Sequence, residues 1–295
     1  MSRLLELAVI GVSLGSIYAL VAVGFAVIFK GTRVVNFAQG SVLLLGAYVV
    51  AVLSKSTGFW PALGIGLAAG ALCGLVMYGL VSLVPQGDHM TLSILTIGAD
   101  VLLATELARR IGSRVMPTGD PWGDGVARLS GLVVPHSRIA ALLSALLVIG
   151  LLFAVFRRTA WGVSWRAAAA DPEVATLMGI RLRRVRATSW LIGGALATLA
   201  GLFLVAFPST GVEAHTGLLA LRAIPAVIIG GLDSPEGAVL GGVAVGVTET
   251  LVAGYADELG VLGQGAGDVT PYLLMILVLL WRPSGLFGSR EAVRV

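Results

Sequence analysis

Few side chains in this sequence are of the kinds that make or break bonds, and their spacing argues against bond chemistry. Gly11-Val12-Ser13-Leu14-Gly15 fits the G-x-S-x-G pattern of serine hydrolases, but here it sits inside a long apolar run. That motif works only on a strand-to-helix elbow, so the match is read as coincidence. His89, His136 and His215 are far apart, and no pair has metal-ligand spacing. Cys73 is the single cysteine, which excludes disulfides within the chain and cysteine-ligated metal sites. Nothing matches G-x-x-x-x-G-K-S/T, so an ATP-driven role requires a separate ATPase subunit. No cofactor is expected.

What remains is a set of polar groups stranded among apolar ones. Asp100, Glu106 and Glu249 fall in apolar runs, where carboxylates usually face a bundle interior or water. Glu106 lies near the end of its run and reads as interfacial. Asp100 and Glu249 are nearer the middle, and each is a candidate for lining a path or for bonding a neighbouring helix. Asn36, Gln39 and Ser41, with Phe37 between them, open another apolar segment with three polar side chains. Asn36 and Gln39 are three apart and are expected on one helix face. A third interruption runs from Arg222-Ala223-Ile224-Pro225 to Gly230-Gly231-Leu232-Asp233-Ser234-Pro235-Glu236-Gly237. Interrupted segments in both halves of a membrane chain point to a transport path. The plainer alternative is that Asn36 and Gln39 cap a helix and the Gly-Pro run is an ordinary turn.

The elements that must position these groups are membrane spans. The chain has 295 residues, 57% apolar and 12% charged. Its mean hydropathy is +0.95. A soluble domain carries about 25% charged residues. A soluble enzyme, a nucleic-acid binder and a disordered chain are therefore excluded together. Spans of about 20 apolar residues are expected at Leu7–Phe29, Val35–Leu53, Trp60–Val84, Thr91–Ala108, Ile139–Phe156, Thr188–Phe207, Leu218–Ile229, Ala238–Gly254 and Val269–Trp281. The fold class is thus an all-α polytopic bundle of about eight or nine helices, with 218–229 and 269–281 short, either half-helices or longer tilted ones. The whole of 1–295 reads as one membrane domain. The first apolar run exceeds a signal peptide's core and is expected to stay.

Basic residues set the orientation. With the N-terminus outside, Lys30, Arg33, the seven arginines of 157–187, Arg282, Arg290 and Arg294 lie in the cytoplasm. The 109–138 loop, which also carries arginines, is then an external, exposed connector. Glycine is abundant at 40 residues, many spaced by four, as in Gly11/Gly15, Gly66/Gly70/Gly74 and Gly242/Gly246. This spacing lets helix backbones approach closely in lipid.

The loop from about 157 to 187 contains a complete short helix. Asp171 suits the cap, Pro172 the first position, Glu173 the positive end and Gly179 the left-handed position after the last turn. Such a helix is too short to be stable alone, so it must dock, and its Ala175, Leu177 and Met178 are expected to form the docking face.

Several of these stretches resemble the LivH-type permeases of branched-chain amino acid ATP-binding-cassette importers. The likeness lies in Gly15-Ser16-Ile17-Tyr18-Ala19-Leu20, Val35-Asn36-Phe37-Ala38-Gln39-Gly40, Gly179-Ile180, Gly230 to Ala238, and Pro283-Ser284-Gly285-Leu286-Phe287-Gly288. It runs in order from about residue 11 to 288. The resemblance implies an inner-membrane subunit that pairs with a LivM-like permease, two cytoplasmic ATPases and an extracytoplasmic binding protein. It also implies that the Asp171–Gly179 helix couples to an ATPase. Two departures bear on cargo: Gln39 and Ser41 replace the family's usual His and Glu, and only Pro85-Gln86-Gly87-Asp88-His89 stands where the family has a longer basic loop. Urea, short amides and other amino acids are cargoes of related permeases. A stand-alone carrier or channel is the reading from another class, and it would use Asp100 or Glu249 for ion coupling.

Overall fold

The computed structural model describes residues 2–84, 88–123, 125–129, 132–206, 211–256 and 265–288. Pro85 to Gly87, Asp124, Phe207, Arg290 and Arg294 lie outside them. Helices α1 (Ser2–Thr32), α2 (Gln39–Thr57), α3 (Phe59–Ser82), α4 (His89–Ile111), α5 (His136–Arg158), α6 (Ala160–Ala170), α7 (Pro172–Leu177) and α8 (Leu182–Leu204) come first. A 3₁₀ segment (Thr216–Ala223), α9 (Ile224–Gly230), α10 (Pro235–Gly254) and α11 (Ala266–Trp281) follow among the described residues. Seven of these helices are long and apolar enough to cross a membrane; Thr216–Gly230 and Ala266–Trp281 are apolar but shorter. The two segments read as short in the sequence are these two, and each runs a few residues longer than its apolar core suggested.

α1 is the core. In its most apolar window 83% of residues are buried, against 11% in α4, so α1 is surrounded by protein while α4 sits at the periphery. Glycine makes the close contacts. A Cβ on Gly11 would lie 2.8 Å from the Cα of Val247, and one on Gly15 would lie 2.6 Å from that of Val243. α1 and α10 thus run antiparallel in near backbone contact, as small residues four apart allow. The G-x-S-x-G match is a packing seam in the middle of a helix. Gly70 and Gly74 of α3 meet Gly194 and Trp190 of α8 in the same way.

Three departures from the sequence expectations have physical causes. The second span does not begin as a helix at Val35: residues 33–38 are non-helical and α2 starts at Gln39. Arg33, the non-glycine residue with positive φ (58°) among those described, turns the chain back toward the bundle. The 109–138 connector is not simply exposed. It carries an antiparallel hairpin, Val126–Leu129 with Leu132–Pro135, and Met116 bridges Val212. Trp122 from this connector stacks on Phe203 at 5.5 Å and meets Phe59 edge-on at 5.4 Å, burying aromatic area that water would otherwise wet. Finally, the 157–187 loop holds a second helix, α6. Thr159 caps it by accepting from the Gly162 N–H at 3.1 Å, and its Trp165 stacks on Phe156 at 4.4 Å and donates to Ser189 Oγ at 3.0 Å.

Candidate functional site

Non-helical backbone inside a membrane bundle must find hydrogen bonds from protein or water. For residues 33–38 several of them come from one stripe of α4. Ser93 Oγ accepts from the Val35 N–H at 3.2 Å, and Thr96 Oγ1 accepts from the Phe37 N–H at 3.0 Å. Thr96 also donates to the Val35 carbonyl at 3.2 Å. One turn further along, the Ser41 hydroxyl donates to the carboxylate of Asp100. Ser93, Thr96 and Asp100 are spaced by three and four, so they share one face of α4. Asp88 starts that helix: its side chain accepts from the Thr91 N–H at 2.6 Å, which holds the carboxyl below the usual carboxylate range.

Asn36 and Gln39 do not project together from a helix face, because Asn36 precedes α2. Both are buried, at 2% and 0% exposure, and they bond to each other. Asn36 Nδ2 donates to Gln39 Oε1 at 2.9 Å, and Gln39 Nε2 donates to the Gly193 carbonyl of α8 at 3.0 Å. Asn36 Oδ1 accepts from the Ala38 N–H at 3.1 Å. These amides tie the turn to the bundle. Phe37, between them, is 37% exposed and points the other way. With Ser41, Asp100 and the 3₁₀ segment it lines a cleft of about 80 Å³. Phe37, Ser41 and Asp100 are therefore together, Asn36 and Gln39 lie behind them, and Glu249 is elsewhere.

Glu249 belongs to a separate charge cluster around Arg222 of the 3₁₀ segment. Arg222 donates to its Oε1 at 3.3 Å and also pairs with Asp268 at 2.9 Å, joining the 3₁₀ segment to α10 and α11. Tyr18 of α1, 2% exposed, faces the same carboxylate. Glu106 sits near the end of α4 with Arg109 and Arg110 on it at 2.8 and 2.6 Å, an exposed cluster consistent with an interfacial position.

At the other end of the bundle α7 has the anatomy read from the sequence. Asp171 Oδ1 accepts from the N–H groups of Glu173 and Val174 at 3.0 and 3.1 Å, and Gly179 has φ +81°. Its faces are arranged differently. Ala175 is only 2% exposed and packs inward, because α7 lies along α6 and α8. Val174, Leu177 and Met178 form the outward face, with Leu177 at 86% and Met178 at 78% exposure. Nearby, the last described residues close over the end of α9: the Leu286 and Phe287 N–H groups donate to the carbonyls of Ile229 and Gly230 at 2.8 and 3.1 Å. These bonds satisfy carbonyls that a helix end otherwise leaves open.

Ser93, Thr96 and Asp268 were not singled out in the sequence, and Arg222 and Tyr18 were named there only as members of longer stretches. The α4 stripe had a readable signal in its spacing. The Arg222–Glu249–Asp268 cluster joins residues up to 46 positions apart and had none.

The profile of the family described as branched-chain amino acid transport system / permease component matches residues 7–279. The chain is 30% identical to the high-affinity branched-chain amino acid transport system permease protein LivH of Escherichia coli, covering 97% of this chain and 96% of that one. It is 31% identical to the probable branched-chain amino acid transport permease protein LivH of Methanocaldococcus jannaschii, covering 92% and 89%. It is also similar to the E. coli permease protein LivM, at 27% identity over 93% of this chain and 68% of that one. A bundle with seven span-length helices, matched along nearly its whole length, is a multi-pass inner-membrane transport permease, and the chain belongs to the branched-chain amino acid transport system permease family.

Proposed function

We propose that this chain forms half of the translocation path of an importer that carries branched-chain or related amino acids inward at the expense of ATP hydrolysed by other subunits. On this reading its partners are a LivM-like second permease, two cytoplasmic ATPases and an extracytoplasmic binding protein. The observation that carries the proposal is the family match over 7–279, which runs through both interrupted segments and the 157–187 loop of a chain lacking a nucleotide-binding motif. The chain itself does no bond chemistry; it exposes a path alternately to either side.

The arginines of 157–187 support a cytoplasmic position for that loop and an N-terminus outside. Asp171, Pro172, Glu173 and Gly179 fix the ends of α7, and Ala175 seats it on α6 and α8. Val174, Leu177 and Met178 are left to enter a groove of an ATPase. Phe37, Ser41 and Asp100 line the path. Asn36 and Gln39 hold the turn from which Phe37 projects, and Glu249 anchors Arg222 and with it the wall of the cleft.

Deleting this gene, or the gene of the partner ATPase, should lower uptake of labelled leucine, isoleucine and valine by intact cells to one common level. Unchanged uptake without the ATPase would overturn the importer reading and leave a stand-alone carrier. Loss of urea or amide uptake alone would move the cargo to that class.

A further inference from the structure

Asp100, Glu106 and Glu249, which lie well inside span-length helices, differ in how they are compensated. Glu106 is clasped by two arginines, and Glu249 is paired with Arg222. Asp100 lies halfway along α4 and receives only the Ser41 hydroxyl; among the described residues it forms no ion pair with Lys, Arg or His. A carboxylate at that depth is costly unless an opposite charge or water meets it. What meets it here is the cleft of about 80 Å³, large enough for only a few water-sized groups. Apart from Ser41 and Asp100, its walls are Phe37, leucines, alanines and glycines. A fitting ligand brings one compact cation that donates hydrogen bonds, followed by hydrocarbon. A guanidinium is a broad planar fork, whereas a primary ammonium is a point charge with three donors. The aromatic wall at Phe37 also attracts ammonium.

We propose that this cleft is an ammonium subsite, in which Asp100 and Ser41 hold a primary ammonium and the aliphatic walls take the carbon attached to it. The proposal rests on the importer reading for one point only, that the ammonium belongs to a transported amino acid, whose side-chain hydrocarbon then faces these walls and whose carboxylate lies outside them. It goes beyond that reading in assigning the cleft's charge to one end of the cargo.

The test uses the full chain assembled with its partners in membrane vesicles, in a Cys73→Ala background with Ala104→Cys placed in the cleft wall. The rate of modification by a small neutral methanethiosulfonate is measured with isopentylammonium or with 4-methylpentanoate, the same kind of skeleton bearing a carboxylate and no amine. Isopentylammonium should slow modification about threefold, the value for a site two-thirds occupied, and 4-methylpentanoate should leave it unchanged. Asp100→Asn should abolish the protection, while Ser41→Ala, which leaves the carboxylate, should weaken it. Equal protection by both probes, none by isopentylammonium, or protection that survives Asp100→Asn would overturn the assignment. ATP-driven leucine uptake in the same vesicles separates the two claims. Protection without uptake removes the importer reading alone, and uptake without protection removes the subsite alone.

Discussion

Replacing Gln39 by leucine keeps a buried side chain of similar size and removes both of its hydrogen bonds. One partner, the Gly193 carbonyl, lies within α8 and retains its place in the helix ladder, so its loss is modest. The other partner, Asn36 Nδ2, is left buried with no acceptor. Stranding a buried donor costs about 1–3 kcal/mol and losing a neutral bond about 0.5–1.5 kcal/mol. The extra apolar area of leucine returns on the order of 1 kcal/mol. The net expectation is a destabilisation of about 1–3 kcal/mol. Chemical unfolding of the purified protein in detergent micelles, followed by tryptophan fluorescence, reads this directly. A double-mutant cycle with Asn36→Ala and Gln39→Ala should give a coupling of at least about 0.5 kcal/mol. Stability of Gln39→Leu within about 0.5 kcal/mol of wild type, together with zero coupling, would refute the assignment of these amides as ties for the turn.

Gly179→Val forces a β-branched residue to φ +81°, a strained conformation; ATP hydrolysis stimulated by the binding protein should fall while expression stays normal, and unchanged stimulated hydrolysis would detach α7 from coupling. Arg222→Met removes the cation between Glu249 and Asp268. Because Arg222 is partly solvated, the loss in a micelle unfolding assay should be about 1–3 kcal/mol rather than the full cost of a buried pair. A second-site Glu249→Gln should recover part of it. A cysteine at Arg183, an exposed position beyond α7, should resist a membrane-impermeant thiol reagent in intact cells and react in inside-out vesicles; labelling in intact cells would invert the orientation.

Hydropathy was enough to locate the spans, because a helix in lipid announces itself by composition and length. It also showed which two segments are short. The glycine spacing showed close packing but not the partners, since Gly11 meets α10 more than two hundred residues away. The capping residues of α7 were legible because capping is a local interaction. Which face of α7 is free was not, since Ala175 is buried by α6 and α8, and hydrophobicity alone does not separate a docking face from a packing face. Likewise Asn36, Gln39 and Ser41 were visible as polar residues in an apolar run, but their division of labour depends on the turn at Arg33. Past that turn the Gln39 amide meets Gly193, the Asn36 amide meets Gln39, and the Ser41 hydroxyl meets Asp100.

On the proposed function, this permease moves cargo only as part of an ATP-driven complex. Proteoliposomes containing the chain with its second permease and ATPases, supplied with the binding protein, should accumulate labelled leucine when ATP is present on the ATPase side. They should stop when the catalytic glutamate of the ATPase is replaced. Accumulation by the chain alone, driven by an ion gradient and indifferent to ATP, would contradict it.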